Sequence, residues 1–544
     1  MPYLIPTLGS SSWPLGPDMK HLYRIVAGVW LALATHAAGA QPAAPAPYTP
    51  TQEGRLELAL EEYSSEVQLQ PVLQDSSVVL LVKQDAPGMR HDSYSLQKYD
   101  HRLQPLWNKT LEVPREFEFQ HFCAEGTTLY ALFQSEAVEH RLWVAAVNGT
   151  GEQIRTYQFD TKLTRDVYDL KTLGGNLFVT VLVDNHLTVL LLDLATGKHQ
   201  FLPSVYEPLP AQLSFLADSA ARRAEFVMSQ TNGYKMRLQL KQLSAGGTLL
   251  HSEFVQAESE RGLISAQISP AADSADGRLL AGTYTLRDPR YSQGLFAADL
   301  SAGVTPSGSR RSLRFYDFAN LKHFFDFMSP NRASRVRQRS EKLRAADRVM
   351  RLRYRTLIHD LIPFEDGYVM VAEVYFPHYR YNNYGPGFAY SPYYYSGYGN
   401  ANWASGNRNF DGYRVTHALV CGFDKRGNLL WDNTFVMKDV VRYTLDETVR
   451  LRILPDGHRL AVAYLDNDKL NYKIIDRTAA SPNGLHVNLT TSALPSAKEK
   501  ASNTSQEGLV TWYGNRLLAY GYQHVRADRS PDRDVFFLNA VSFE

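Results

Sequence analysis

Residues Val449–Thr491 read VRLRILPDGHRLAVAYLDNDKLNYKIIDRTAASPNGLHVNLTT. Short runs of Val, Ile, Leu and Tyr are cut by Pro-Asp-Gly, Asp-Asn-Asp and Ser-Pro-Asn-Gly. Such runs, bounded by turn residues, read as β-strands. The stretch is therefore four strands joined by three tight turns. Residues Val167–Pro203, VYDLKTLGGNLFVTVLVDNHLTVLLLDLATGKHQFLP, align with it clause by clause. A four-stranded unit recurs.

The second strand of each unit starts near Val78, Thr128, Leu177, Arg223, Arg278, Tyr368, His458 and Arg516. Four of the seven intervals lie between 46 and 55 residues and a fifth is 58, the size of a four-stranded blade with its loops. The two intervals of 90 each hold an insertion. The last unit ends at Glu544 after three strands. The segment Arg55–Tyr63, RLELALEEY, can supply the fourth and close a ring, which removes the exposed sheet edges. A lone sheet cannot bury both faces, whereas sheets packed radially bury them on one another. The expectation is an all-β, single-domain β-propeller over residues 55–544. Eight four-stranded blades are favoured, or seven if the unit at Arg278 is not a blade. One basic helix is inserted within 321–355 and one Tyr/Gly/Asn-rich loop within 376–414.

The N-terminal region has another character. From Met19, the expected start, Lys20 and Arg24 precede the apolar run Ile25–Ala34 and the Ala38-Gly39-Ala40 cleavage pattern, so residues 1–40 read as a secretory signal. A Pro/Ala linker over 41–54 follows. No later run is long and apolar enough for a transmembrane helix. Cys123 and Cys421, in apolar runs far apart in sequence, read as two buried free thiols rather than a disulfide. With Lys+Arg 57 and Asp+Glu 56, no global charge draws the chain to nucleic acid or membrane.

Three turns carry a resemblance. Tyr99–Trp107 reads YDHRLQPLW, Asp193–Gly197 reads DLATG and Phe423–Trp431 reads FDKRGNLLW. They resemble the blade turns of quinoprotein-type and kelch-like propellers, in which Asp and Gly make the turn and Trp packs on the next blade. Asp424, Gly427 and Trp431 match in full. Asp193 and Gly197 lack the Trp, and the Asp100–Trp107 turn lacks the Gly. Quinone enzymes of that type carry an adjacent cysteine pair, which this chain does not, so the motif is read as structural and no cofactor is expected. The overall make-up also resembles large exported proteins of Bacteroidota, which implies a cell-envelope role. Asp218-Ser219-Ala220 and Asp273-Ser274-Ala275 resemble their O-glycosylation acceptors.

Two segments are candidates for binding. Arg332–Arg355 holds nine arginines and Lys342 against Glu341 and Asp347, a local net charge of +8. Val336, Leu343 and Met350 give it one narrow apolar seam. Arg335, Arg339, Arg344, Arg348 and Arg351 would bind an anion, unless they pair with acids of the body. The Tyr-rich loop offers Tyr379, Tyr381, Tyr384, Tyr393, Tyr394, Tyr395, Tyr398 and Trp403, rings suited to sugar or protein recognition. Catalytic signals are weaker. Glu373, Asp366, Asp456 and Asp466 could face an axis but read as turn acids. Asp466-Asn467-Asp468 lacks the Gly and closing Glu of a calcium loop, so no metal is expected. His359 and His417 read as packed or exposed side chains.

The sequence thus points to an exported, non-enzymatic binding or scaffold propeller of the periplasm, cell surface or exterior, with an envelope protein or glycan as partner and not nucleic acid. An exported carbohydrate-active or quinone-dependent enzyme with its site on the axis is the alternative. Native protein is expected to begin at Gln41. N-terminal sequencing that reads Met19 or anything upstream excludes that expectation.

Overall fold

In the computed structural model the described residues are 48–544 apart from 85–90, 163, 165, 184–185, 203–206, 209–211, 220, 232–234, 272–277, 301–311, 382–407, 491–498 and 528–530. The signal segment, nearly all of the expected linker, the second Asp-Ser-Ala motif and most of the Tyr-rich loop fall outside them.

The described residues form eight antiparallel sheets, each with a four-stranded path. Seven are consecutive in the chain, covering 65–114, 117–160, 167–201, 212–255, 262–317, 355–442 and 450–488, here blades 1 to 7. Second strands begin at Ser77, Thr128, Asn176, Arg223, Leu279, Gly367, Leu460 and Arg516, within two residues of the sequence reading. The unit near Arg278 is a blade, so the count is eight. First strands of successive sheets touch: Ser65–Val72 meets Phe117–Glu125, which meets Val167–Leu173, and so on to Arg355–Ile358, and Arg450–Ile453 meets Glu499–Thr511. These strands line the axis.

Blade 8 joins the two ends of the described chain. Its order is Glu499–Thr511, Arg516–Ala527, Arg533–Phe543 and then Pro50–Leu58. Pro50 faces Phe543 and Leu58 faces Phe536. The closing strand therefore lies five residues upstream of its expected position, and Pro50–Gly54 belongs to the sheet rather than to a linker. Polar partners fix this register. Glu53 takes a two-pronged ion pair from Arg516 at 2.6 and 3.0 Å. Glu57 pairs with Arg533 at 2.9 Å, and Arg55 reaches Asn539 and Gln523 at 3.1 and 2.8 Å. Glu61 and Glu62, expected in the strand, fall in the turn to blade 1.

Apolar faces fill the gaps between neighbouring sheets. Val78, Leu80 and Val82 of blade 1 pack on Trp512, Leu518 and Phe536 of blade 8. The Trp512 indole donates to the Ser77 carbonyl at 3.0 Å and the Tyr522 hydroxyl to the Ser65 carbonyl at 2.9 Å, tying the two sheets. Buried charges act likewise elsewhere. Lys98 pairs with Asp75 and donates to the Gly149 carbonyl of blade 2 at 3.0 Å. Glu225 of blade 4 pairs with Arg278 of blade 5. Lys473 of blade 7 donates to the Thr434 carbonyl of blade 6 at 2.7 Å. Each charge finds a partner as its sheet docks, because an unpaired buried charge would oppose docking.

The three quoted turns all connect third to fourth strands. Asp100, Asp193 and Asp424 each accept two backbone N–H groups, at 2.7–3.0 Å. Gly197 and Gly427 take φ values of 67° and 79°. Leu103, at φ 61°, stands where the first turn lacks its glycine, and its side chain is buried between blades 8 and 1. Asp466-Asn467-Asp468 is also a hairpin turn, with Asn467 and Asp468 at φ 48° and 64°. Cys421 is buried and Cys123 half-buried, and both are free thiols. Cys123 falls short of full burial because it sits on an axis-lining strand. Among the described residues no helix is long and apolar enough to cross a membrane.

A chain truncated to begin at Glu61 is expected to leave blade 8 one strand short and to elute as aggregate in size-exclusion chromatography. Trp512→Ala in the full chain is expected to cost about 3–5 kcal/mol in denaturant melts.

Candidate functional site

Strand direction alternates within each sheet. The outer-to-inner crossings between blades and the hairpins between second and third strands therefore share one end of the propeller. Both insertions rise from this end. The segment between Leu313–Asp317 and Arg355–Ile358 is a crossing, and the Tyr-rich loop joins the second and third strands of blade 6.

The first insertion is anchored by aromatic packing. Phe318, Phe324 and Phe325 are fully buried, with Phe318 and Phe324 stacked at 4.3 Å. Phe327 stacks on His417 at 4.0 Å. Burial lowers the His417 imidazole to about 3, so it is an uncharged ring of this cluster. The helix on this cushion spans Pro330–Ala345, not the whole of 332–355. It stops where Asp347 takes φ 54°, and the chain then runs back over the cluster through Met350, Leu352 and Tyr354. The apolar spacing at Met350 thus belongs to a strap. Arg335, Arg339 and Arg344 are helical, whereas Arg348 and Arg351 lie on the strap.

Local signals explain this helix only in part: Pro330 suits its first position and Lys342 and Arg344 its last turn. Its first turn has no acid, and the Ser329 side chain makes no cap hydrogen bond. Arg332 and Arg335 sit near the positive end of the helix dipole, at a penalty of about 0.3–1 kcal/mol each. Ala333 and Ser340 are buried against the cushion and Val336 partly so. Tertiary packing therefore holds it. Pairing is sparse: Arg337 lies 3.8 Å from Asp326, and Arg344 bonds the Asn320 amide. No described carboxylate lies within ion-pair reach of Arg332, Arg335, Arg339 or Lys342. The pairing with acids of the body that the sequence allowed is not made by these four.

The second insertion begins later than expected. Strands Gly367–Tyr381 and Arg408–Asp424 stay paired out to Tyr381–Arg408, so Phe376–Tyr381 and Arg408–Arg414 are sheet rather than loop. Aromatic cross-strand packing extends the ladder. Tyr375 meets Tyr413 at 5.6 Å, Phe410 meets Tyr413 at 5.1 Å and Tyr379 meets Phe410 at 6.0 Å. Tyr379 and Phe410 remain 45% and 48% exposed. Tyr381 ends its strand, and Tyr384, Tyr393, Tyr394, Tyr395, Tyr398 and Trp403 lie outside the described residues. Phe376 packs on Tyr354, so the extension and the helix cushion share one apolar base.

The axis carries a third group of polar side chains. Asp360 is exposed between buried His359 and Leu361, where the first strand of blade 6 is interrupted. Although its side chain reaches solvent, the protein massed around it on the axis strips away much of its hydration, and this desolvation raises its carboxyl above the usual range. Glu447 and Asp169 add to the rise, and Lys171 and His359 oppose it. His121 of blade 2 is held below the ordinary imidazole value by burial, against the pull of Asp169 and of Asp446 at the entry to blade 7. These groups come from blades 2, 3, 6 and 7. Their assembly depends on ring closure, and no spacing in the sequence signals it.

The acids singled out in sequence go elsewhere. Asp366 is in a hairpin turn, Asp456 caps the turn at His458 and Arg459, and Asp466 ends a strand. Glu373 is buried between blades 6 and 7. It accepts from the Thr448 and Val449 amides at 2.7 Å and meets His359 at 2.9 Å. Burial works against the charge on His359, but Glu373 and Glu447 outweigh it, and the imidazole value is raised. Asp218 of the first Asp-Ser-Ala motif is buried and accepts from the Ala221 and Ala271 amides at 2.9 Å.

No family model matches the chain, and no curated protein does. Similar solved structures include one described as an analysis of two prolyl endopeptidases (TM-score 0.38, 11% identity, 86% of this chain and 54% of that one). Prolyl oligopeptidase B from Galerina marginata scores 0.39 at 8% identity over 86% of this chain and 56% of its own. The polysaccharide lyase Uly1 scores 0.36 at 7% identity over 78% and 89%. The chain spans little more than half the length of the peptidase structures. Likenesses at this level say nothing about chemistry.

Glu373→Ala removes the acceptor of three buried donors and is expected to destabilise the fold by about 3–5 kcal/mol. The pH dependence has a definite sign. His359 has a raised value in the folded state, so its contribution is complete below about pH 6.5 and is lost as pH rises through the folded value. Melts of wild type and His359→Gln across pH 5–9 should converge at the alkaline end.

Proposed function

We propose that this chain is an exported, non-enzymatic binding propeller of the cell envelope, and that it recognises its partner with the end that carries both insertions. The observation that carries this reading is the Tyr379–Phe410 ladder. The two strands run past the end of their blade and keep two large rings about half exposed. Tyr63, Phe254 and Tyr443 are exposed at least as much, but Tyr379 and Phe410 stand together on one overextended ladder, and exposed aromatic clusters mark recognition surfaces. Export rests on the signal-like residues 20–40. The quinoprotein-like and kelch-like turns fit a structural role, since their aspartates and glycines are occupied in shaping the turn.

One observation favours the second reading, an axial enzyme acting on carbohydrate. Asp360 is an axis-facing carboxyl with a raised value, pushed up first by desolvation and then by Glu447 and Asp169. Asp360→Asn would abolish turnover in that case and leave partner binding untouched in the first.

Excision of 382–407 with a short Gly/Ser link between Tyr381 and Arg408 retains the paired strands. Loop length contributes little to closure entropy, so Tm is expected to stay within a few degrees. Binding to envelope fractions or a glycan array is expected to fall sharply, and further with Tyr379→Ala and Phe410→Ala. Undiminished binding by the combined variant would refute the reading.

A further inference from the structure

The inserted helix carries a patterned charge. Arg332, Arg335, Arg339 and Lys342 are exposed and spaced i, i+3, i+7, i+10. At 3.6 residues per turn they share an arc of about 80° and form a row about 15 Å long. Glu341 points about 180° away from Arg332, so it does not interrupt the row. Neighbours three and four apart repel one another, and the first two oppose the helix dipole. No described residue offers these four a carboxylate. The row works against the helix that holds it, and the packing of Ala333, Val336 and Ser340 on the aromatic cushion keeps it in place.

We propose that this row is a docking strip for an acidic polysaccharide, a chain of sugars bearing carboxylate or sulfate groups. The inference rests on the binding-propeller reading and names the partner class. Charge complementarity sets the sign of the partner. The row's regular spacing suits a polymer with charges at intervals, and three of its four cations are guanidinium groups, which grip carboxylate and sulfate with two parallel hydrogen bonds. The exposed flank carries no large apolar side chain, so it cannot sink into a bilayer as an amphipathic helix does. It also lacks the aromatic anchors that dominate protein–protein contacts. Such rings stand on a different element. Phe376 shares the helix's apolar base, and Tyr379 lies three residues further along the same strand, about 10 Å on. The ladder rings themselves continue from Tyr375, which packs on the other face of the sheet from Phe376, so the row recruits its partner by its charge pattern alone.

The test uses the full mature chain with polygalacturonate, heparin and neutral dextran as probes, alongside phosphatidylglycerol vesicles and duplex DNA at the same ionic strength. Wild type is expected to bind polygalacturonate or heparin over dextran, with affinity falling as salt rises. The quadruple variant Arg332→Gln, Arg335→Gln, Arg339→Gln, Lys342→Gln is expected to raise Kd at least about tenfold and flatten the salt dependence, with Tm unchanged or higher. A charge-matched control at exposed sites elsewhere, Arg102→Gln, Arg155→Gln, Lys198→Gln, Arg222→Gln, should bind like wild type. The proposal is overturned if neither acidic polymer binds, if the quadruple variant stays within about twofold of wild type, if the control loses as much, or if vesicles or DNA bind more tightly. If binding to another partner falls with Tyr379→Ala and Phe410→Ala while the quadruple variant matches wild type, this inference fails and the proposed function stands.

Discussion

Ring closure is the constraint on which the rest depends. Three strands ending at Phe543 and one strand beginning at Pro50 form a single sheet only when the other seven blades have brought the two ends together. The apolar interior reinforces that union, and the Glu53–Arg516, Arg55–Asn539 and Glu57–Arg533 contacts give it a register. Without it, one outer face of blade 1 and one of blade 8 would lie open, along with a free sheet edge. The polar groups gathered on the axis from blades 2, 3, 6 and 7 share a field only in the closed ring.

Between the sheets, apolar packing is non-directional and would tolerate sliding. The buried polar struts are directional and would not. Glu373 bridges the His359 ring and two amides of the next blade's entry, Lys473 reaches back to Thr434, and Glu225 holds Arg278. A lost strut leaves a charge without solvent or partner, so these groups fix rotation between neighbouring sheets more than they add to overall stability. The same logic explains why most of the sequence's candidate catalytic acids turned out to be architectural.

Much of the fold was legible. Hydrophobic runs of period two, cut at regular intervals by Gly, Asp and Asn, placed eight second strands within two residues, and the spare first strand was recognisable. What misled were segments whose local chemistry conflicts with their role. Gly and Tyr near Tyr379 and Phe410 read as loop, but cross-strand ring packing carries the ladder onward. Heptad spacing through Met350 reads as helix, yet that side chain lies on a strap packed against Phe324 and its neighbours. Leu103 occupies a left-handed turn position where glycine is easier, because its side chain fills the closure interface.

By itself the sequence determined strand periodicity, blade count within one, the cationic segment and the aromatic one, because each is written in residues close together along the chain. Only the tertiary structure decided that both insertions leave from the same end and share a base at Phe376 and Tyr354, that Asp360 is brought under the influence of Glu447 and Asp169 from other blades, and that Glu373 is a strut. Those relations join residues tens to hundreds of positions apart. Local preference cannot encode them. They arise when eight sheets, none able to bury both its faces alone, close on one another.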